Sequence, residues 1–287
     1  MPESAYPTIG DIGEALEVWA PPGSAQDYDN VGLQVGDARR AVHRALIALD
    51  ATPAVLDEAR RHDATLIVTH HPLLFHPLRS LTADGLVSSL ALRLAEAGIA
   101  LYSIHTNLDA APGGVSFALA EHLGLEDTRF LDPFGEKAGD DDALIEQPNT
   151  QTGLGALGRL DAPMPLSDFL QRVAERLQAG SLRYVGDLKS TVETVAVCGG
   201  SGSSFTGQAL RAGADAYVTA DVTYHSFFDV LDTDGRPRMA LIDAGHYETE
   251  ALTESLLHDW LRRRFPSVEW RRTETRTSPM KTFVPAN

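Results

Sequence analysis

Strand-like apolar bursts alternate with helix-length amphipathic stretches along this chain, and that alternation restricts it to the α/β class. RALIALD (44–50) reads as a buried strand, and Pro53–Arg61 then carries helical spacing. ATLIVTHH (64–71) is the next strand, Leu86–Ala97 a helix, IALYSIH (99–105) a third strand, and about 114–122 another helix. Short connections between strand and helix mean parallel pairing. A second α/β unit is expected from TGLGALGRL, a helix at 167–178, VETVAVCGG, a helix over about 204–212, and DAYVTAD. PRMALIDAGH resumes the strand pattern, and one long helix is expected over about 247–265. The pattern weakens between 131 and 152, where EKAGDDDALIEQPNTQT reads as an exposed loop. Its acidic run Asp140, Asp141 and Asp142 reads as solvated surface, because nothing nearby supplies further cation ligands.

The 287 residues hold 40 Asp and Glu against 24 Lys and Arg, a formal net charge of −16. That balance argues against holding nucleic acid by bulk charge, which needs clustered Lys and Arg. The single cysteine, Cys198, excludes an intramolecular disulfide and any Cys-rich zinc module. With 10 histidines, any metal would be held by imidazole and carboxylate. No apolar run approaches the roughly 20 residues of a membrane span. The N-terminus lacks the basic and apolar regions of a signal peptide. The expectation is a cytoplasmic protein.

Nearly every chemically capable residue falls at the carboxyl end of a predicted strand. Asp50 ends ALIALD, His70 and His71 end LIVTHH, and His105 with Asp109 follows ALYSI. Gly199 and Gly200 end TVAVC, Asp221 follows AYVT, and Asp243 with His246 follows ALI. Ligands of open α/β sheets bind beyond those strand ends, so these groups are candidates to converge.

Each motif alone has an ordinary explanation. Adjacent histidines at a strand end can point to opposite sides, which makes one shared ion awkward and suits one ion each of a close pair. An isolated pair is more often structural. HTNLD places His105 and Asp109 four residues apart, but Asp109 before APGG also fits turn and cap chemistry. GHYETE is sharper. If a helix begins near His246, then His246 and Glu250 share one face as a His/carboxylate clamp, with Glu248 facing solvent. GGSGSS, from Gly199 through Gly202 to Ser204, follows a strand and precedes a helix, so a phosphate-cradling turn and a tight structural turn both fit. It matches neither a P-loop nor a dinucleotide fingerprint. Taken together, the motifs make chance placement the poorer explanation.

DNVGLQVGD (29–37), THHPLLF (69–75), YSIHTNLD (102–109), VAVCGGSG (195–202) and DAGHYETE (243–250), in this order, are highly specific. With them the chain resembles the GTP cyclohydrolase 1 type 2 homologues, also called NIF-three-like proteins, nearly end to end and in their short bacterial form. The resemblance implies two divalent ions held by His70, His71, Asp109, His246 and Glu250, with Glu250 bridging. His105 would stand beside the metals as a supporting group or an acid/base. It also implies two similar α/β domains, residues 1–125 with 240–287 and residues 126–239, with the metal site in the cleft between them, and a toroidal homohexamer. One departure is Thr219-Ala220-Asp221, with alanine where many relatives have glycine; Asp221 and His225 are candidates to face the cavity.

Three functions stand as expectations. The first is a dinuclear metal-dependent hydrolase acting on a small substrate, a nucleotide or a cyclic amide, with His105 as the catalytic proton carrier. The second is a metal-handling protein that stores, delivers or inserts ions. The third is a regulatory scaffold, whose DNA-binding version the acidic charge weakens. Donors without thiolate suit Zn, Fe, Mn, Co or Ni to differing degrees.

Overall fold

A computed structural model describes residues 6–134 and 152–283. The acidic run at 140–142, and nearly all of the loop expected around it, lie outside the described residues. The strands, in chain order, are β1 (Gly32–Val35), β2 (Arg44–Ala48), β3 (Leu66–Thr69), β4 (Ala100–Ser103), β5 (Leu125–Pro133), β6 (Gly153–Pro165), β7 (Arg183–Val185), β8 (Thr191–Ser201), β9 (Ala216–Ala220), β10 (Ala240–Asp243) and β11 (Glu269–Arg272). They form two sheets in two compact units, Met1–Ala111 with Thr253–Pro279 and Pro112–Leu252 with Met280–Asn287. This is the α/β, two-domain architecture that the alternating pattern expects.

The first unit carries the sheet β1-β4-β3-β2-β11, parallel except for β1. Strands β3 and β4 are buried along their whole length, which is why LIVT and ALYS read as continuous rather than alternating apolar runs. Leu46, Ala48 and Ile67 pack against Val55, Leu56, Leu90 and Leu94 of the helices Pro53–Arg61 and Leu86–Ala97. Thr52 caps the first of these through the Val55 N–H, and Gly98 ends the second in the left-handed conformation.

The second unit carries the mixed sheet β5-β6-β8-β9-β10-β7, with β8, β9 and β10 parallel. Phe169 and Val173 of the helix Leu166–Leu177 pack on Val195, Val197 and Val218, and Tyr217, Leu241 and Met239 fill another cluster. Strand β10 pairs with β7 and β9, and the helix Val115–Leu123 packs on β5, β6 and β8. Pairing and packing therefore place both elements in the second unit, although the expected borders at 125 and 240 put them in the first. The long helix expected over 247–265 is two helices, His246–Glu250 and Thr253–Arg264. The turn at Ala251 and Leu252 is where the chain passes from the second unit to the first. No helix among the described residues is long and apolar enough to cross a membrane.

Candidate metal centre

In the first unit β3 stops at Thr69, and the chain beyond it forms a tied corner rather than further strand. The Thr69 hydroxyl donates to the His71 carbonyl at 2.8 Å, and the His71 N–H donates to the Leu49 carbonyl at 3.0 Å. Because the extended geometry ends there, the alternation that would send His70 and His71 to opposite sides ends too. Their rings lie 5.1 Å apart, and the His105 ring lies 5.2 and 5.4 Å from them. Ligand-capable nitrogens of His70, His71 and His105 all fall within 4.8 Å of one another. His105 precedes the one-turn helix Thr106–Asp109, which brings Asp109 round so that its Oδ1 is 3.7 Å from His70 Nε2.

Each ring is held by its other nitrogen. His70 Nδ1 meets the Ile104 carbonyl at 2.8 Å; a carbonyl only accepts, so Nδ1 carries the proton and a neutral ring offers its Nε2 lone pair. His71 Nδ1–H donates to Asp50 Oδ1 at 2.7 Å, and the Thr277 hydroxyl fixes the far oxygen of Asp50 at 2.5 Å. His105 Nδ1–H donates to Asp29 Oδ1 at 2.8 Å. The other Asp29 oxygen accepts from the Thr106 N–H at 3.0 Å and hydroxyl at 2.5 Å. Burial pushes the Asp29 carboxyl up, but the bonds from His105 and Thr106 outweigh it and hold it well below the usual carboxylate range. Burial, with the charges of Asp29 and Asp109, raises the neighbouring Tyr28 phenol.

In the second unit Gly245, at φ +92°, turns the chain out of β10 and starts the helix at His246. The i, i+4 spacing then acts as expected: His246 Nε2 and Glu250 Oε2 are 3.0 Å apart, with Glu250 buried. His246 Nδ1 is 2.7 Å from Asp221 Oδ2, so Asp221 does for His246 what Asp50 does for His71. Asp221 sits at φ +53°, a left-handed conformation that Asp tolerates better than most side chains. With Nδ1–H donated to Asp221, the 3.0 Å contact sets an imidazole lone pair against a carboxylate. That arrangement needs positive charge at the Nε2 edge, which a proton or a ligated cation supplies. Glu248, expected to face solvent, is half-buried. His225 is exposed, with its ring 5.2 Å from Tyr224 and 6.4 Å from Phe228.

Two residue roles were not read from sequence. Gly200, at φ +60°, lies so close to Glu250 that a Cβ there would run into the Glu250 carboxylate and come within 3.3 Å of His246 Cε1. The Gly200 N–H donates to Thr249 Oγ1 and the Gly202 N–H to Thr219 Oγ1, both at 3.0 Å. These two amides, which a phosphate would need, are therefore engaged, and the glycine turn serves as clearance for Glu250. Asp243 is the other. Buried, it accepts from the Val222 N–H at 3.1 Å and the Gly245 N–H at 3.2 Å and pairs with Arg183, bracing the turns that carry Asp221 and His246. Its position at a strand end was the only sequence signal.

The donor set fits divalent ions. In the first unit three imidazoles held through Nδ1, as metal-binding histidines characteristically are, stand with the carboxylate of Asp109; in the second, His246 is held the same way beside the carboxylate of Glu250. The model of the family Duf34/NIF3 (NGG1p interacting factor 3) matches residues 7–279. The chain belongs to that family. Among Duf34/NIF3 relatives, a GTP cyclohydrolase 1 type 2 homolog of Streptomyces coelicolor is 37% identical over 85% of this chain and 82% of its own length. One from Clostridium acetobutylicum is 35% identical over 84% of this chain and 85% of its own. The crystal structure of a Bacillus cereus protein related to NIF3 is 25% identical, covers 98% of this chain and 100% of its own, and superposes with a TM-score of 0.85.

Proposed function

We propose that this Duf34/NIF3 chain is a hydrolase that works with two divalent metal ions, held by His70, His71, Asp109, His246 and Glu250. The observation that carries the reading is the shared arrangement of His70, His71, His105 and His246, each with Nδ1 bonded to an oxygen, which leaves Nε2 as the nitrogen able to meet a cation. Bound ions would acidify water toward neutral pH and polarise a substrate carbonyl or phosphoryl oxygen. His105 is the group for proton transfer to the leaving atom: Asp29 holds its Nδ1–H, stabilises the imidazolium as it forms, and leaves Nε2 to take and give the proton. Glu250, clasped between Gly200 and His246, is the carboxylate proposed to serve both ions.

The substrate is proposed to be small, a nucleotide or a cyclic amide, in line with the GTP cyclohydrolase 1 type 2 homolog name that relatives carry. The setting is proposed to be a cytoplasmic, toroidal homohexamer. Metal analysis of gently purified protein, followed by an amide and phosphoester screen with the metal found, is the test. Two ions per chain, lost in the His70→Ala, Glu250→Ala double variant together with turnover, is the expected result. Unchanged metal in that variant sinks the ligand assignment. Rapid passage of the ions to an acceptor without turnover would instead favour the metal-handling reading.

A further inference from the structure

The first unit places two aromatic side chains at the edge of the histidine cluster, Tyr28 exposed and Phe75 half-buried. Tyr28 is 65% exposed although its neighbour Asp29 has a fully buried side chain. Its ring meets Phe75 at 6.1 Å and 62°, and Phe75 in turn meets His105 at 6.3 Å and 76°. An edge-to-face succession of rings thus runs from solvent, through Tyr28 and Phe75, to the imidazole that Asp29 orients.

The two turns bearing these rings are fastened to each other. Asn30 Nδ2 donates to the Leu74 carbonyl at 2.5 Å, the Leu74 N–H donates to Gln34 Oε1 at 2.9 Å, and Gln34 Nε2 donates to the Asn30 carbonyl at 2.8 Å. Three polar side-chain bonds spent on holding an exposed ring in register with a half-buried one are hard to explain by packing alone, since Tyr28 stays 65% exposed despite them. They are what a pre-organised stacking surface needs, because rigid rings lose little entropy when a flat ligand lands on them.

We propose that Tyr28 and Phe75 form a stacking subsite for a planar unsaturated ring of the substrate, selecting it over the same ring with a double bond reduced and its planarity lost. The inference rests on the proposed function, because it is the His105 edge of that site that the rings border. It narrows the substrate to one with a flat heterocycle. Tyr28 and Phe75 bind and orient in this reading and take no part in proton transfer.

The test is ligand-observed NMR titration with uracil and with 5,6-dihydrouracil, which differ by one ring double bond. Both are titrated into the full chain, metal-loaded and metal-stripped. The wild type should bind uracil about tenfold more tightly. Tyr28→Ala and Phe75→Ala should each erase most of that preference, while Tyr28→Phe keeps it and metal content stays at the wild-type level. Equal binding of the two rings by the wild type, no uracil binding at all, or a preference that survives Tyr28→Ala overturns the proposal. So does a Tyr28→Ala variant whose only change is its assembly mass, since the rings would then serve self-association. A uracil preference that persists in stripped protein, alongside absent turnover, separates failure of the hydrolase reading from failure of this one.

Discussion

The two units present their histidines by different means. In the first, His70, His71 and His105 stand on chain that has just left β3 and β4, and their orientation comes from Ile104, Asp50 and Asp29. In the second, His246 and Glu250 share one turn of helix, and their geometry comes from spacing, from Asp221, and from the glycine that makes room for them. The first arrangement is fixed where β3 and β4, both buried along their whole length, hand over to the tied corner and the one-turn helix. The second relies on a close backbone approach, so a single methyl group reaches it.

Gly200→Ala should therefore have the largest effect of any conservative change. The new Cβ meets the Glu250 carboxylate, and φ +60° costs an alanine on the order of 1–2 kcal/mol besides. Metal affinity should fall by more than about a hundredfold, beyond what loss of an orienting carboxylate costs, with a lowered melting temperature. Gly213→Ala is the matched control, because Gly213 also has positive φ, at +73°, but opens onto empty space. It should cost about 1 kcal/mol and leave metal binding alone. Isothermal titration with zinc on both variants decides it; equal affinities would show that Glu250 does not need the clearance.

Next in size are the carboxylates that aim the rings. Asp50→Asn and Asp221→Asn should each weaken metal binding roughly 10–100-fold, the usual range for a group that orients a metal-bound histidine. Asp29→Asn should behave differently, because its partner His105 is assigned to proton transfer. Metal content should hold, while the pH profile of turnover shifts as the imidazolium loses its buried counter-charge. Loss of metal in Asp29→Asn would make His105 a ligand and give the first unit three histidine donors. The 4.8 Å grouping of His70, His71 and His105 makes that a real alternative outcome.

How far the sequence carries is visible in these same residues. The strand-end positions of His70, His71, Asp109 and His246, and the helical spacing to Glu250, were legible because strand and helix periods dictate them. The α/β class came from the same periods. What could not be read is where pairing or clearance is decided by residues far apart in the chain. Asp29 meets His105 across 76 positions, Asp50 meets Thr277 across 227, and Gly200 meets Glu250 only after β8 and the last turn of the second unit fold together. The glycine turn stays open between two readings in the sequence for a related reason. Its composition suits a phosphate cradle, and only the partners of its N–H groups, Thr249 and Thr219, reveal otherwise. The break at Ala251 and Leu252 escaped because both sides keep helical spacing, and the turn answers to a change of unit rather than to a local breaker.

The last effect is on fold stability rather than on metal binding, and concerns a second, half-buried carboxyl that lies close to Asp50 in the first unit. Glu254 accepts the Leu49 N–H at 3.0 Å, one residue before Asp50. Burial pushes its carboxyl up to about 7, the Leu49 bond and Arg272 pull down, and the charges of Asp50 and Glu58 add to the rise. A carboxyl whose folded value lies above its unfolded value favours the folded state only while protonated. Its contribution is complete below about 4.5 and is lost as pH rises through about 7. Glu254→Gln keeps the neutral form at every pH. It should match the wild type near pH 5 and exceed it by about 1–3 kcal/mol at pH 8. Asp29 has the opposite sign: its stabilisation is present above the unfolded carboxylate value and is lost only in strong acid, so Asp29→Asn should be the less stable chain at both pH values. Urea melts at pH 5 and pH 8 read both. If Glu254→Gln gains nothing between them, Glu254 is already ionised beside Asp50, and the carboxylate that orients His71 is then braced against a like charge.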